Sequence, residues 1–382
     1  MTTPKVLINC SNLKVGGGLQ VAHSFLEQLR DEDSGWHFVV TLSDALSRMV
    51  DPSGFPDSFR FFNYNIRPSW WKSLTGADSF LNRLAHEHSV DAAFSPFGPT
   101  YWRPKEVPHV AGFAKAQYLI RNKQFDDILG PLRRTLLSVK EVVHMFDFRR
   151  NNTCLVTENQ TISNLLGKRL SGKTVHTVTN TCSQVYGAPE SWDRSIDLPT
   201  FNGTTLLTIS ADYPHKNLQV LPDVARELVQ RFPAFKFRFV LTLDEGVFDS
   251  DTISGVENQF LFLGPVTLHQ CPWLYSQADL MILPTLLECF SASYAEAMVM
   301  GVPIATSDLP FAHGLCGNAA DYFDPSSSRA IADVIHSLAS DERRRGQLVA
   351  AGRQQLQQFD TPTSRAEKYI RILESELRRA SS

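Results

Sequence analysis

The chain has 382 residues, of which 43% are hydrophobic and 20% charged, and a formal net charge of −3. That balance describes a soluble globular protein of about two domains and excludes a chain drawn to nucleic acid by its overall charge. No apolar run approaches the ~20 residues of a membrane span, and the opening residues lack the basic and apolar regions of a secretory leader.

In chain order, the first half predicts strands over 5–10, 36–42, 58–63, 90–95, 109–113, 153–157 and 174–178, with helices such as 19–30 and 79–88 between them. Short apolar runs bounded by turn residues suit strands buried on both faces. Their alternation with helices predicts a doubly wound parallel sheet. Between the first strand and helix stand Gly16, Gly17 and Gly18, which let a backbone approach a phosphate or a sugar hydroxyl closely. The pattern is not that of a nicotinamide site, because no ribose-binding acid follows at the right offset.

Further on, Arg133, Arg134, Lys140, Arg149, Arg150, Lys168, Arg169 and Lys173 outnumber Glu141, Asp147 and Glu158. The bases interleave with Leu132, Leu136, Leu137 and Val143. This reads as a basic amphipathic face for an anionic membrane surface, with Trp70-Trp71-Lys72 adding an interfacial pair. A solvated basic face is the alternative.

Residues 182–202 hold Gly187, Pro189 and Pro199 with little periodicity and read as a linker. The second half predicts strands over 204–210, 235–243, 259–263, 280–283 and 303–306, and helices over 217–232, 292–300, 328–339, 341–358 and 363–379. The expected organisation is a first domain over 1–181, the linker 182–202, a second domain over 203–361, and a terminal helix over 362–382. Cys10, Cys154, Cys182, Cys271, Cys289 and Cys316 are scattered without metal or redox spacing, which suits a reducing cytoplasm. Cys289 reads as a packed thiol rather than a nucleophile.

Chemistry concentrates at two places in the second half. The first is Tyr213-Pro214-His215-Lys216-Asn217, where a lysine at a helix start opposes the helix dipole unless it faces an anion. The second runs from Pro284 to Asp308. A buried strand ends at Pro284, a loop carries Glu288, and a helix opening at Ala292 carries Glu296. The amides of Phe290, Ser291 and Ala292 would face a phosphate at that helix N-terminus. Ser293-x-x-Glu296 also fits a capping box, in which Glu296 bonds back to the Ser293 amide.

Glu288 and Glu296 form an E-x7-E pattern. With Ala278-Asp279-Leu280, Pro284, Glu296-Ala297-Met298, Gly301-Val302-Pro303-Ile304, Ser307-Asp308, Cys316-Gly317-Asn318 and Phe323-Asp324-Pro325, it resembles the retaining glycosyltransferases of family 4, also called glycosyl transferases group 1. The resemblance is dense over 200–330 and looser before 180. It implies a GT-B fold, two Rossmann-like domains facing across a cleft, with the terminal helix crossing back to the first. It implies transfer of a sugar from a nucleotide diphosphate sugar to a glycan or glycolipid hydroxyl, as in bacterial surface-polysaccharide and lipopolysaccharide synthesis. No resident cofactor or metal is expected, since protein cations would already face the phosphates.

In these terms Glu288 reaches the sugar, Glu296 holds the ribose, and Lys216 with His215 neutralises the diphosphate. Gly16, Gly17 and Gly18 lie beside donor and acceptor. Two departures stand out. The family's upstream Arg is replaced by Ser210-Ala211-Asp212, and its first-domain His is absent from Gly112-Phe113-Ala114-Lys115-Ala116-Gln117. Lys115 and Gln117 are the candidates there. A sugar-nucleotide epimerase of the same fold, or a silent partner-binding subunit, are the rival readings.

Overall fold

The computed structural model describes residues 3–32 and 34–381. The chain folds into two units. One takes the residues up to Leu119, Leu132–Asn180 and the chain from Asp360 on; the other takes Ile120–Pro131 and Thr181–Phe359.

The first unit is built on β1 (Lys5–Cys10), β2 (His37–Leu42), β3 (Phe59–Asn63), β4 (Ala92–Ser95), β5 (His109–Gly112), β6 (Cys154–Thr157) and β7 (Thr174–Thr177). Their order across the sheet is β3-β2-β1-β4-β5-β6-β7, all parallel. The second unit is built on β8 (Thr204–Thr208), β9 (Phe237–Leu241), β10 (Phe260–Phe262), β11 (Leu280–Leu283), β12 (Ile304–Ser307) and β13 (Ala320–Phe323). Their order is β10-β9-β8-β11-β12-β13, again parallel. Strand order reverses between β1 and β4 and between β8 and β11. In open α/β sheets those reversals mark the ligand crevices at the carboxyl ends of the strands.

The strands form where the sequence is apolar on both faces. In β1, Val6 and Ile8 pack into one cluster with Phe25, Phe94 and Tyr369, while Leu7 joins Ala93 and Trp102 on the opposite side, the period of two that a strand imposes. The terminal helix Pro362–Ser381 belongs to the first unit. Its Tyr369 ring lies edge-on to Phe25 at 5.3 Å, and its buried Arg365 donates to Asn180 and, at 2.9 Å, to Ser24. Asp360 fixes the start of this segment by accepting from the Thr179 amide at 2.9 Å and pairing with Lys368 at 2.6 Å.

Two segments differ from the expected organisation. Residues 182–202 are packed into the second unit where a linker was expected. Tyr186 is buried beside Tyr275, with ring centroids 6.0 Å apart, and Gln277 accepts from the Leu198 amide at 2.8 Å while donating to Ile196. Short turns replace helical periodicity there, yet the apolar side chains find partners. Ile120–Pro131, expected within the first domain, also belongs to the second unit. It begins the helix Lys123–Arg150, which breaks at Gly130 (φ 70) before Pro131, as a left-handed glycine followed by proline must. The edge strand β13 was not expected; its two central residues, Asp321 and Tyr322, are only half-buried.

Close backbone approach fixes the carboxyl edge of the first sheet. The Gly98 amide donates to the Gly112 carbonyl at 2.7 Å, and a Cβ at Gly112 would stand 1.8 Å from the Pro96 carbonyl oxygen. Gly112→Ala is therefore expected to cost about 3 kcal/mol or more, because backbone cannot yield as a side chain does. Gly167→Ala, with nothing within 4 Å on the helix Gln160–Arg169, is expected to add roughly 0.5–1 kcal/mol. Calorimetric melting of both variants checks the contrast.

Candidate functional site

The loops after β8 and β11 leave adjacent strands at the order reversal of the second sheet. The β8 loop makes a turn over Pro214–Lys216, which Asn217 ends in the left-handed conformation (φ 56). Asparagine tolerates that conformation better than most residues. The Asn217 side chain is buried and donates to the Pro325 carbonyl at 3.0 Å. The position of Lys216 is thus set by its neighbour.

Lys216 Nζ meets Glu288 Oε1 at 2.5 Å, with both side chains largely out of solvent. The Thr285 hydroxyl lies 3.1 Å from both Glu288 Oε1 and the His215 carbonyl. That carbonyl also accepts from the Leu286 amide at 2.7 Å. One backbone oxygen therefore ties the two loops together. The His215 ring stacks on Tyr213 at 5.6 Å. Burial, aided by Lys216, holds its pKa below the ordinary imidazole range against the pull of Glu288, so it is neutral at neutral pH and offers a hydrogen bond, not a charge.

The helix Ala292–Met300 begins directly after this loop, with Ser291 at its N-cap and no side-chain cap. The first amides of a helix have no partner inside it; here they begin at Ala292, with Phe290 and Ser291 leading in directly after Glu288 and Cys289. The Phe290 ring packs edge-on against Phe359 at 5.5 Å, which anchors the loop. Glu296 lies one turn into the helix. It does not form the capping box: its Oε2 accepts from the Tyr275 hydroxyl at 3.2 Å, and the Ser293 hydroxyl turns to the Ile209 carbonyl at 3.4 Å. Burial raises the Glu296 pKa to about 7, against the opposing influence of the Tyr186 and Tyr275 hydroxyls and of Lys216. Two acids of one motif thus have different surroundings: Glu288 with a cation, Glu296 among phenols.

The segment Ile120–Pro131 reaches the same loops. Asn122 donates to the Leu286 carbonyl at 3.5 Å, and Gln124 donates to Asn217 and to the Pro325 carbonyl, each at 3.2 Å. Sequence reasoning missed these residues, along with Thr285, Tyr186 and Tyr275. A threonine within the acid-bearing loop was the one available signal.

The first unit holds the remaining candidates. Gly16 (φ 79) precedes the helix Gly17–Asp31. A Cβ on Gly18 would stand 3.3 Å from Phe97, whereas Gly17 has open space. Asn12 ties the loop to the chain after β4, donating to Phe97 at 2.7 Å and Pro99 at 3.0 Å. Lys115 and Gln117 follow β5 and are half-buried. Near them His144 sits between two tyrosines, 2.8 Å from the Tyr118 hydroxyl and 3.3 Å from that of Tyr101. Burial, then Lys115 and Lys140, push its pKa down to about 4. His109 is a core histidine, 2.9 Å from the Ser95 hydroxyl.

Residues 198–355 match the family model of glycosyl transferases group 1. Among curated proteins, the O-antigen chain mannosyltransferase RfbU of Salmonella typhimurium is 24% identical over 35% of this chain and 37% of its own length. A phosphatidyl-myo-inositol mannosyltransferase of Mycobacterium leprae is 28% identical over 42% and 44%. The matches to curated relatives span between 27% and 44% of those proteins' lengths. Among solved structures, a glycosyltransferase from Rickettsia africae superposes with a TM-score of 0.71 at 14% identity, covering 99% of both chains. WaaG, a glycosyltransferase of lipopolysaccharide biosynthesis, gives 0.66 at 13% over 97% of this chain and 99% of its own. Anabaena HepE, solved with UDP and glucose, gives 0.64 at 15% over 97% and 100%. Over residues 198–355 the chain is similar to the glycosyl transferases group 1, and its fold is that of the GT-B glycosyltransferases.

Proposed function

We propose that this protein transfers a hexosyl group from a nucleotide diphosphate sugar to a hydroxyl of a glycan or lipid-linked glycan, in polysaccharide or lipopolysaccharide synthesis. The observation that carries the reading is the Lys216–Glu288 pair at the β8/β11 reversal, followed by a helix N-terminus. The relatives named above act on O-antigen chains or a phosphatidylinositol, which fits a glycolipid acceptor presented at the inner face of a membrane to a cytoplasmic enzyme.

In this reading the pair exchanges partners. A diphosphate draws Lys216 away from Glu288, and the amides of Phe290, Ser291 and Ala292 together with the helix dipole share the phosphate charge. His215 adds a neutral hydrogen bond. Glu288 is released to accept from sugar hydroxyls near the reacting carbon. Glu296 accepts from the ribose. The bond from the anomeric carbon to the diphosphate oxygen breaks as the acceptor oxygen bonds that carbon, and the acceptor proton passes to the departing diphosphate. Attack on the same face retains configuration, and neutralisation of the leaving group by protein cations and amides needs no resident metal. Gly16, Gly17 and Gly18, with Lys115 and Gln117, serve the acceptor side.

Calorimetry with UDP, GDP, ADP and their sugars tests the donor site. One nucleotide is expected to bind, and Lys216→Ala to weaken it at least about tenfold, or 1.4 kcal/mol. Glu288→Gln is expected to leave the nucleotide affinity intact or tighten it, since the competing carboxylate is gone, while slowing sugar transfer by roughly 10²- to 10³-fold. Absence of binding by every nucleotide would favour the silent-subunit reading; nucleotide release without any acceptor would favour the epimerase.

Glu296 gives a pH signature. Its folded pKa lies above the unfolded value, so its contribution to stability is fully present below pH ~4.5 and is lost as pH rises through about 7. Relative to Glu296→Gln, the free protein is expected to lose stability over that window. Ribose prefers the ionised acceptor, so nucleotide affinity should rise from pH 6 to pH 8 more steeply in the parent than in Glu296→Gln. Parallel profiles would remove Glu296 from the ribose site.

A further inference from the structure

The helix Lys123–Arg150 leaves its apolar side uncovered after the break at Gly130. Leu132, Leu136, Val139, Val142 and Phe146 are 41% to 74% exposed. At the helical repeat they fall within one arc of about 120°, with Arg133 and Lys140 bordering it on one side and Arg149 on the other. Arg133, Arg134, Lys140, Arg149 and Arg150 are all exposed, whereas the only acids of this stretch, Glu141 and Asp147, are buried. From Leu132 to Arg150 the exposed charge along the helix is therefore of one sign.

A second apolar element stands at its end. The Arg150 guanidinium donates to the Leu74 carbonyl and lies over the Phe146 ring at 5.8 Å, and Asn151 donates to the Ser73 carbonyl at 3.1 Å. These contacts fasten the short helix Trp70–Thr75, whose Trp70 and Trp71 are 65% and 59% exposed.

We infer that this face, Leu132 to Phe146 with Trp70 and Trp71, docks on an anionic lipid bilayer. An apolar arc with basic borders is the arrangement by which a helix lies in a membrane interface. Tryptophans settle at the headgroup level, and arginine and lysine at the borders extend their charge toward lipid phosphates. A second copy of the chain fits this face poorly. Two-fold pairing of the arc would set arginines and lysines of one copy beside those of the other, with no exposed acid on the helix beyond Gly130 to offset them. Anionic lipid neutralises the same groups. The inference supplies a docking surface for the lipid-linked acceptor proposed above, but it stands on vesicle binding, not on sugar transfer.

The test is cosedimentation of the full chain with vesicles of about 40 mol% phosphatidylglycerol in phosphatidylcholine, against phosphatidylcholine alone. The parent is expected to bind the anionic vesicles selectively and to lose most of that binding as salt rises toward about 1 M. Leu136→Asp with Val139→Asp, both on the exposed arc, is expected to reduce binding at least about tenfold. Trp70→Ala with Trp71→Ala should weaken it several-fold. An unchanged melting temperature and unchanged nucleotide binding would show that fold and donor site persist. Failure of the parent to bind, or equal binding by the aspartate variant, overturns the inference. So does a parent dimer in light scattering that the aspartate variant abolishes while vesicle binding stays the same.

Discussion

The second unit is organised by a lysine and a carboxylate that leave water together. Taking either charge alone out of solvent would cost several kcal/mol, so the Lys216–Glu288 pair persists only while both loops hold their course. The fold meets that condition with neutral hydrogen bonds. The His215 carbonyl serves Thr285 and Leu286, Asn217 locks the residue after Lys216, and Thr285 occupies a further site on the carboxylate. Strand order explains why the pair can exist. Lys216 and Glu288 are far apart in sequence but follow β8 and β11, which are neighbours at the point where the sheet reverses. Under the proposed function the same constraint would make the site responsive: a polyanion competing for Lys216 would act on a group that already has a partner, so binding and release of Glu288 would become one event.

The second acid of the motif works under another constraint. Glu296 lies among Tyr186 and Tyr275, with no cation in direct contact, and burial lifts its pKa toward neutrality. One carboxylate paired and one desolvated is an economical way to give two chemically identical groups different tasks. Tyr186 comes from the stretch 182–202 and Tyr275 from the helix Cys271–Ser276, so Glu296 also unites parts of the unit that neither sheet connects.

What the sequence disclosed follows the range of the interactions involved. Short runs rich in apolar and β-branched residues between turn residues are a local signal, and β1 to β12 were legible by it, the half-buried edge strands β7 and β10 included. The thirteenth, β13, escaped because Asp321 interrupts a run of only four residues, Ala320–Phe323. Lys216, Glu288 and Glu296 were singled out because a turn proline and a paired-acid spacing are local signals; the helix expected from 217 begins only at Leu221, so Lys216 ends a short turn instead of standing at a helix start. Asn122, Gln124 and Tyr186 were not. Their roles depend on contacts with Leu286, Asn217, Pro325 and Tyr275, residues remote in sequence, and nothing local distinguishes such an asparagine or tyrosine from a solvated one. The capping-box alternative for Glu296 failed for a related reason: the helix starts at Ala292, which leaves Ser293 inside it, and the nearby tyrosine offers a bond that no pattern records.

The net charge of −3 conceals two opposite uses of charge. In the second unit a cation is sheltered from solvent and matched one to one, so salt screens it weakly. Along the exposed helix of the first unit, cations stand in water beside apolar side chains while the acids of the same stretch are withdrawn into the core. Glu141 there is paired with Arg169 at 3.0 Å, and Asp147 accepts from the Thr100 amide at 3.0 Å and the Tyr101 amide at 3.1 Å. Those buried acids shape the fold and contribute little to the field outside it. A count of charges along the sequence therefore understates how basic that surface is. The relevant quantity is the charge that remains in solvent after folding, and on this helix beyond Gly130 it is wholly positive.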